Sequence, residues 1–224
     1  MRRVVIPEWL DSDSGTLSEV SSSLSDLSRI NRWFGGCATT LSLVRQVAGD
    51  LRASSFSLLE IAAGAGTVPE MVRGKLQKHA IDLHVTLVDR SPAHLGHRSA
   101  NGTWAVAGDA LSLPFQDASF DLVSCCLFAH HLSPEELVRF IDEGLRVCRR
   151  AVLINDLIRH ALHLALVYAG WPIYRSRLTR HDAPASVRQA YTTGEMRGLL
   201  QRTRATRVEM KRHFLFRMGV IVWK

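Results

Sequence analysis

Residues 56–67 run Phe56-Ser-Leu-Leu-Glu60-Ile-Ala62-Ala-Gly64-Ala-Gly66-Thr67. The apolar stretch from Phe56 to Ile61 carries one acid and then breaks into small residues. Val68, Met71, Val72 and Leu76 follow at the spacing of one helix face. This is the order of a buried strand, a tight glycine turn and a helix. A turn without bulky side chains lets a ligand lie against backbone N–H groups at a helix N-terminus. Ordinary strand-to-helix corners also carry a lone Gly-x-Gly, so the strands beyond it decide between the two.

A second apolar run, Leu83 to Val88, ends in Asp89-Arg90, where a ribose-binding acid is expected. A third, Trp104 to Ala107, ends in Gly108-Asp109-Ala110. Three such ends gather polar groups at the carboxyl edge of a sheet, where open α/β sheets bind ligands. Phe120 to Leu127 is a fourth, nearly continuous apolar strand that leads into Phe128-Ala-His130-His131-Leu132. Ser133-Pro-Glu-Glu136 is a capping box with proline in the first turn, and Leu137, Phe140, Ile141 and Leu145 supply the buried face of its helix. Ala151 to Ile154 is a fifth strand, ending at Asn155-Asp156. Strands alternating with helices predict a mainly parallel sheet covered on both faces.

Together these motifs resemble the class I S-adenosylmethionine-dependent methyltransferases, closely over Ser54 to Asp156 and more loosely elsewhere. Glu60-x-Ala62-x-Gly64-x-Gly66 is similar to that family's first motif, with Ala62 where its first glycine usually stands. The resemblance implies that Asp89 holds the ribose hydroxyls and Asp109 the adenine amino group, with Arg90 and Ala110 adjoining them. Leu111 to Phe115 and Asp117 to Val123 resemble the run into the family's fourth strand. The implied fold is α/β: a Rossmann-like, doubly wound, seven-stranded sheet with an N-terminal helical cover and a helical insert after strand 5. Arg207 to Met210 and Leu215 to Trp223 are two further strands, which the resemblance makes an antiparallel hairpin completing the sheet.

The length of 224 residues suits one sizeable core with appendages. We expect a cover over residues 1–53 and a methyltransferase domain over 54–224, with the insert at about 157–190. Hydrophobic residues make up 46% and charged residues 22%, an ordinary soluble composition. Cysteines at 37, 125, 126 and 148 lack paired ligand spacing, pointing to a reducing compartment without a disulfide framework or zinc site. No long apolar run follows Arg2-Arg3, so the expectation is no signal peptide and a cytoplasmic enzyme. The net charge is +7, and Arg197, Arg202, Arg204, Arg207, Lys211, Arg212 and Arg217 concentrate it near the C-terminus. Such a span is either a solvated face or a patch for nucleic acid or an anionic membrane.

In the cover, Leu17, Val20, Leu24 and Leu27 give a helix with one apolar stripe, opened by the capping box Thr16 to Glu19. Leu41, Val44, Val47 and Leu51 give a second helix. Trp33 and Phe34, between them, are expected as core aromatics that anchor the cover, or else as pocket lining. Arg29 or Arg32 is a candidate for the cofactor carboxylate. In the insert, Leu157 to Tyr174 is apolar but too short and too punctuated to cross a membrane. In the resembled family this segment covers the acceptor pocket; the plain alternative is a core helix against the sheet.

Methyl transfer from a sulfonium needs in-line placement more than elaborate catalytic groups. A hydroxyl acceptor also needs a base. His130 and His131 follow the fourth strand and His181 stands beside Asp182, so these three are the candidates, each with a merely structural alternative. The turn after the fourth strand is Cys125-Cys-Leu-Phe128 and not Asn/Asp-Pro-Pro-Tyr, which argues against amino methylation of bases or glutamine. No proline stands beside Cys125 or Cys126, as the RNA cytosine-carbon enzymes require. No acid follows the fourth strand to match Asn155-Asp156, so no metal is expected. The favoured reading is S-adenosylmethionine-dependent methylation of a small, apolar or aromatic metabolite, preferentially on oxygen. The rivals are an RNA methyltransferase using the basic C-terminal span, and a non-catalytic cofactor-binding regulatory protein.

Overall fold

In the computed structural model, which describes residues 1–11, 14–95 and 103–224, seven strands form one sheet. They are β1 Ser55–Ile61, β2 Asp82–Asp89, β3 Trp104–Ala107, β4 Phe120–Cys126, β5 Cys148–Leu157, β6 Arg207–His213 and β7 Arg217–Trp223. The order across the sheet is β3-β2-β1-β4-β5-β7-β6. The first five are mutually parallel, while β7 runs antiparallel to β5, from Ala151 opposite Trp223 to Leu157 opposite Arg217, and β6 folds back on β7. The strand order reverses between β1 and β4, which opens a crevice at their carboxyl ends.

The helices are α1 Leu17–Trp33, α2 Gly36–Leu51, α3 Thr67–Gln77, α4 Pro92–Leu95, α5 Pro134–Val147, α6 Ala161–Ala169, α7 Arg177–Gln189 and α8 Thr193–Leu200. One face of the sheet buries Leu58, Leu87 and Ile221 against Val44 and Val47 of α2 and Val72 of α3. The other buries Val152 and Ile154 against Leu137, Phe140 and Ile141 of α5 and Met196 of α8. Burying each such side chain contributes about 1.5–3 kcal/mol, so Phe140→Ala alone would cost about 3–5 kcal/mol. The capping boxes Thr16/Glu19 and Ser133/Glu136 both form, and Thr192/Glu195 adds a third at α8.

The cover departs from expectation. α1 continues to Trp33, and the break comes at Gly35, whose φ is +84°. A Cβ there would sit 3.1 Å from the Phe214 carbonyl oxygen. Trp33 is 59% exposed and Phe34 37%, so neither anchors the cover. Polar groups do so instead, because α1 rests on the start of α7 and on β7. Asp26 Oδ2 accepts from the amides of Arg175 (2.8 Å) and Ser176 (3.0 Å), Ser23 and Thr179 share a hydrogen bond of 3.1 Å, and Arg217 donates to Asn31 Oδ1 at 2.8 Å. Of the two cover helices, α1 contributes described residues to the lining of the crevice and α2 does not; α2 is part of the core.

Candidate active site

A cavity of about 670 Å³ opens at the carboxyl edge, under α1 and beside the insert. Its floor is the turn after β1. Gly64 and Gly66 have φ of +50° and +65°, and Gly66 caps α3. A Cβ on Gly66 would meet Leu87 Cδ1 at 2.6 Å, whereas one on Gly64 would find nothing nearer than Leu24 at 3.9 Å and would project into the cavity. Ala62 also takes a left-handed conformation, φ +52°, where the resembled family has glycine. Such a conformation costs about 1–3 kcal/mol for a residue with a Cβ.

Asp89, at the end of β2, lines the cavity and accepts from the Gly64 amide at 2.8 Å and the Ser91 amide at 2.9 Å. Asp109, after β3, lines it too and accepts from the Leu111 amide at 2.9 Å. Arg90 and Ala110 flank these acids, and Arg90 reaches the Asp11 carbonyl at 3.4 Å. Glu60 is buried below the turn and hydrogen-bonded by the Ser124 hydroxyl. Burial raises its pKa to about 7 despite that bond. The turn, the two acids and the open space above Gly64 fit an adenosine-bearing cofactor.

The other half of the cavity lies at the ends of β4 and β5. His130 and His131 form a short 3₁₀ turn there. Asp156 accepts from the His130 amide at 2.9 Å and from its Nδ1 at 2.6 Å, while His130 Nε2 faces Glu8 Oε1 at 3.5 Å. Burial pulls the His130 pKa down, but the charges and hydrogen bonds of Asp156 and Glu8 outweigh it and lift the value to about 10. His131 Nδ1 lies 2.8 Å from Asp11 Oδ2, and its Nε2 is 4.0 Å from Glu8 Oε2. A carboxylate oxygen of Glu8 and one ring nitrogen of each histidine fall within 4.8 Å of one another, close enough for one metal ion to bridge. Both nitrogens of His130 already face carboxylates, so the group also stands as a chain of ion pairs.

Glu8 and Asp11 arrive on the N-terminal segment. The Trp9 and Leu10 amides donate to Asp182 at 2.8 and 3.1 Å, and Arg3 donates to the carbonyls of His130 and Leu132, both at 3.0 Å. Ser186 and Gln189 of α7 donate to Glu8 Oε1 at 2.6 and 2.7 Å. His181, the third candidate base, is not among the residues lining the cavity. Its ring stacks on Trp9 at 4.0 Å and its Nδ1 is 2.8 Å from Asp182, so it steadies the segment that carries Glu8. Trp171 is likewise outside the lining, while Tyr174 is within it. Neither Arg29 nor Arg32 reaches the cavity, and Arg29 pairs with Asp26. Besides Arg90, the arginine in the lining is Arg217, buried and held by Asn31 and by Asn155 Oδ1 at 3.2 Å. Sequence reasoning missed Glu8, Asp11 and Arg217. An acid in an extended N-terminal segment, or one arginine among seven cations, carries no spacing that singles it out.

Residues 59–154 match a family model described as a methyltransferase domain. No curated protein matches the chain in sequence. Among solved structures, the plantazolicin methyltransferase BpumL, in complex with a triazolic desmethylPZN analog and S-adenosylhomocysteine, superposes with a TM-score of 0.72 at 13% identity, covering 96% of this chain and 93% of that one. A methyltransferase from Aquifex aeolicus gives 0.56 at 14% identity, covering 80% and 88%. The magnesium protoporphyrin IX methyltransferase of Synechocystis PCC 6803 gives 0.55 at 15%, covering 84% and 82%. At these identities the likeness is one of fold. The strand order, the matched methyltransferase domain and the glycine turn with its acids are those of an S-adenosylmethionine-dependent methyltransferase.

Proposed function

We propose that the enzyme methylates an oxygen atom of a small, apolar or aromatic acceptor. One observation carries the reading: a single cavity joins the cofactor-type residues at the ends of β1, β2 and β3 to a carboxylate–imidazole chain at the ends of β4 and β5. S-adenosylmethionine, when bound, supplies an electrophilic methyl group on a sulfonium. Asp89 holds the ribose hydroxyls, Asp109 the adenine side, and the backbone from Ala62 to Gly66 the methionine moiety. Leu132, Leu157, Val167 and Tyr174 line the same cavity and give an apolar acceptor a dry wall. His130 is held as a cation between Asp156 and Glu8 and takes no proton at neutral pH.

His131 is the base in this reading. Asp11 takes the hydrogen bond from its Nδ1 and thereby leaves the Nε2 lone pair free. As the acceptor oxygen gains the methyl group, its proton passes to Nε2, and the Glu8 and Asp11 carboxylates offset the imidazolium charge. An RNA acceptor is less favoured. Arg202, Arg204 and Arg207 each lie within 4.0 Å of an acid, and Arg217 is turned into the cavity.

The test is a panel of apolar acceptors bearing hydroxyl or amino groups, with product identified by mass spectrometry. O-methyl products are expected, and His131→Ala should lower turnover by roughly a hundredfold or more while leaving cofactor affinity intact. Transfer to nitrogen acceptors alone would overturn the oxygen assignment. Cofactor binding without turnover on any acceptor would favour a regulatory protein.

A further inference from the structure

The outer face of the insert is built against the usual rule for soluble helices. α6, Ala-Leu-His-Leu-Ala-Leu-Val-Tyr-Ala, is apolar on nearly every side, a pattern that normally goes with burial all round. Yet His163 is its one buried residue. Leu162, Leu166 and Tyr168, with Trp171 and Ile173 of the turn that follows, are each 41–54% exposed. The N-terminal segment widens the patch: the Val4 amide donates to the Arg188 carbonyl at 3.1 Å, and Val4 and Val5 are themselves exposed. A contiguous apolar surface of this kind marks a place where something docks.

The rim of the patch says what. Residues 161–189 hold four arginines and a single acid, Asp182, which is buried. Arg175 and Arg180 are exposed and form no ion pair among the described residues. Arg188 covers the Tyr168 ring at 5.7 Å and donates to its hydroxyl at 2.9 Å. Trp171 donates its indole N–H to the Arg180 carbonyl at 3.1 Å and meets Tyr168 edge-on at 5.7 Å. An apolar wedge, aromatic rings with polar tips and a collar of arginines match the layers of a lipid interface: acyl chains, then headgroup boundary, then phosphate. A second copy of the chain fits poorly, because a two-fold contact through this face would set the arginine collars against one another.

We propose that this face docks on an anionic lipid bilayer, with α6 lying in the interface and Arg175, Arg180 and Arg188 at the level of the phosphates. The contact is peripheral, since no helix of the described residues is long and apolar enough to cross a membrane. The inner side of α6 and the segment after it contribute His163, Val167 and Tyr174 to the cavity. Resting on the function proposed above, an apolar acceptor dissolved in the bilayer would therefore meet the cavity directly.

Co-sedimentation of the full chain with phosphatidylcholine vesicles, with and without phosphatidylglycerol, tests this. The expected result is binding to the anionic vesicles that weakens with salt. Leu162→Glu/Leu166→Glu should weaken it by at least about tenfold, and Arg175→Glu by roughly fivefold or more, since each basic residue near an anionic surface contributes about that factor. Unchanged affinity for S-adenosylhomocysteine in the variants would show that the fold is intact. The proposal is overturned if the wild type stays in the supernatant, or if it binds neutral and anionic vesicles equally. It is also overturned if light scattering shows a dimer that Leu162→Glu/Leu166→Glu dissolves while vesicles are ignored. None of these readouts depends on the acceptor, so they stand apart from the assignment of the reaction.

Discussion

Replacing Glu60 with glutamine should change how stability depends on pH. The side chain is 2% exposed, and burial lifts its pKa from 4.5 to about 7. A raised carboxyl pKa means that the folded state binds a proton the unfolded chain has already released. The stabilising contribution of that proton is complete below pH 4.5 and is lost as the pH rises through about 7. At about 1.4 kcal/mol per unit, the whole shift is worth about 3.5 kcal/mol. Glu60→Gln keeps the shape and can still accept from Ser124 but cannot titrate. Urea unfolding of both proteins from pH 5 to pH 8.5 isolates the effect, because every other group titrates in both. The stability of the wild type relative to the variant should fall by about 2.5 kcal/mol across that range, the first part of the change lying below pH 5. A cationic cofactor near Glu60 should in turn favour the ionised acid, so cofactor affinity should rise with pH through about 7 in the wild type only. A stability difference that is flat with pH would refute the reasoning.

Asp89→Ala should weaken S-adenosylhomocysteine binding by at least about tenfold, since a hydrogen bond to a charged group is worth about 1.5–3 kcal/mol; calorimetry that shows no change would remove Asp89 from the site. Gly66→Ala should lower thermal stability by about 1–3 kcal/mol, because φ is +65° and the new Cβ would meet Leu87 at 2.6 Å. A melting point equal to the wild type's would contradict that geometry. Treatment with EDTA should leave turnover unchanged. If it abolished activity and a divalent ion restored it, Glu8, His130 and His131 would act as metal ligands and His131 would not be the base.

The sheet was largely legible because its signals are local. The apolar runs at β1, β2 and β4, the acids that end β2 and follow β3, and the Ser133–Glu136 box each need only a few consecutive residues. The direction of β6 and β7 came from the family resemblance, since alternation along a strand does not tell which way its neighbour runs. The acceptor side was legible only in part. His130 and His131 stood out after β4, but their partners Glu8 and Asp11 lie about 120 residues away in the chain, and no periodicity links the two. His181 beside Asp182 looked like a base and is instead a bracket for the N-terminal segment. Trp33 and Trp171 were weighed by their apolar rings, yet both stand substantially exposed. Hydrophobicity states what burial would contribute, and only the packed fold decides whether burial occurs.

The most direct test is a crystal structure with S-adenosylhomocysteine bound. The account predicts the ribose on Asp89, the adenine beside Asp109 and Ala110, and the sulfur facing the space bounded by His131, Leu157 and Tyr174. A sulfur directed away from that space, or an adenosine bound elsewhere than the ends of β2 and β3, would contradict it.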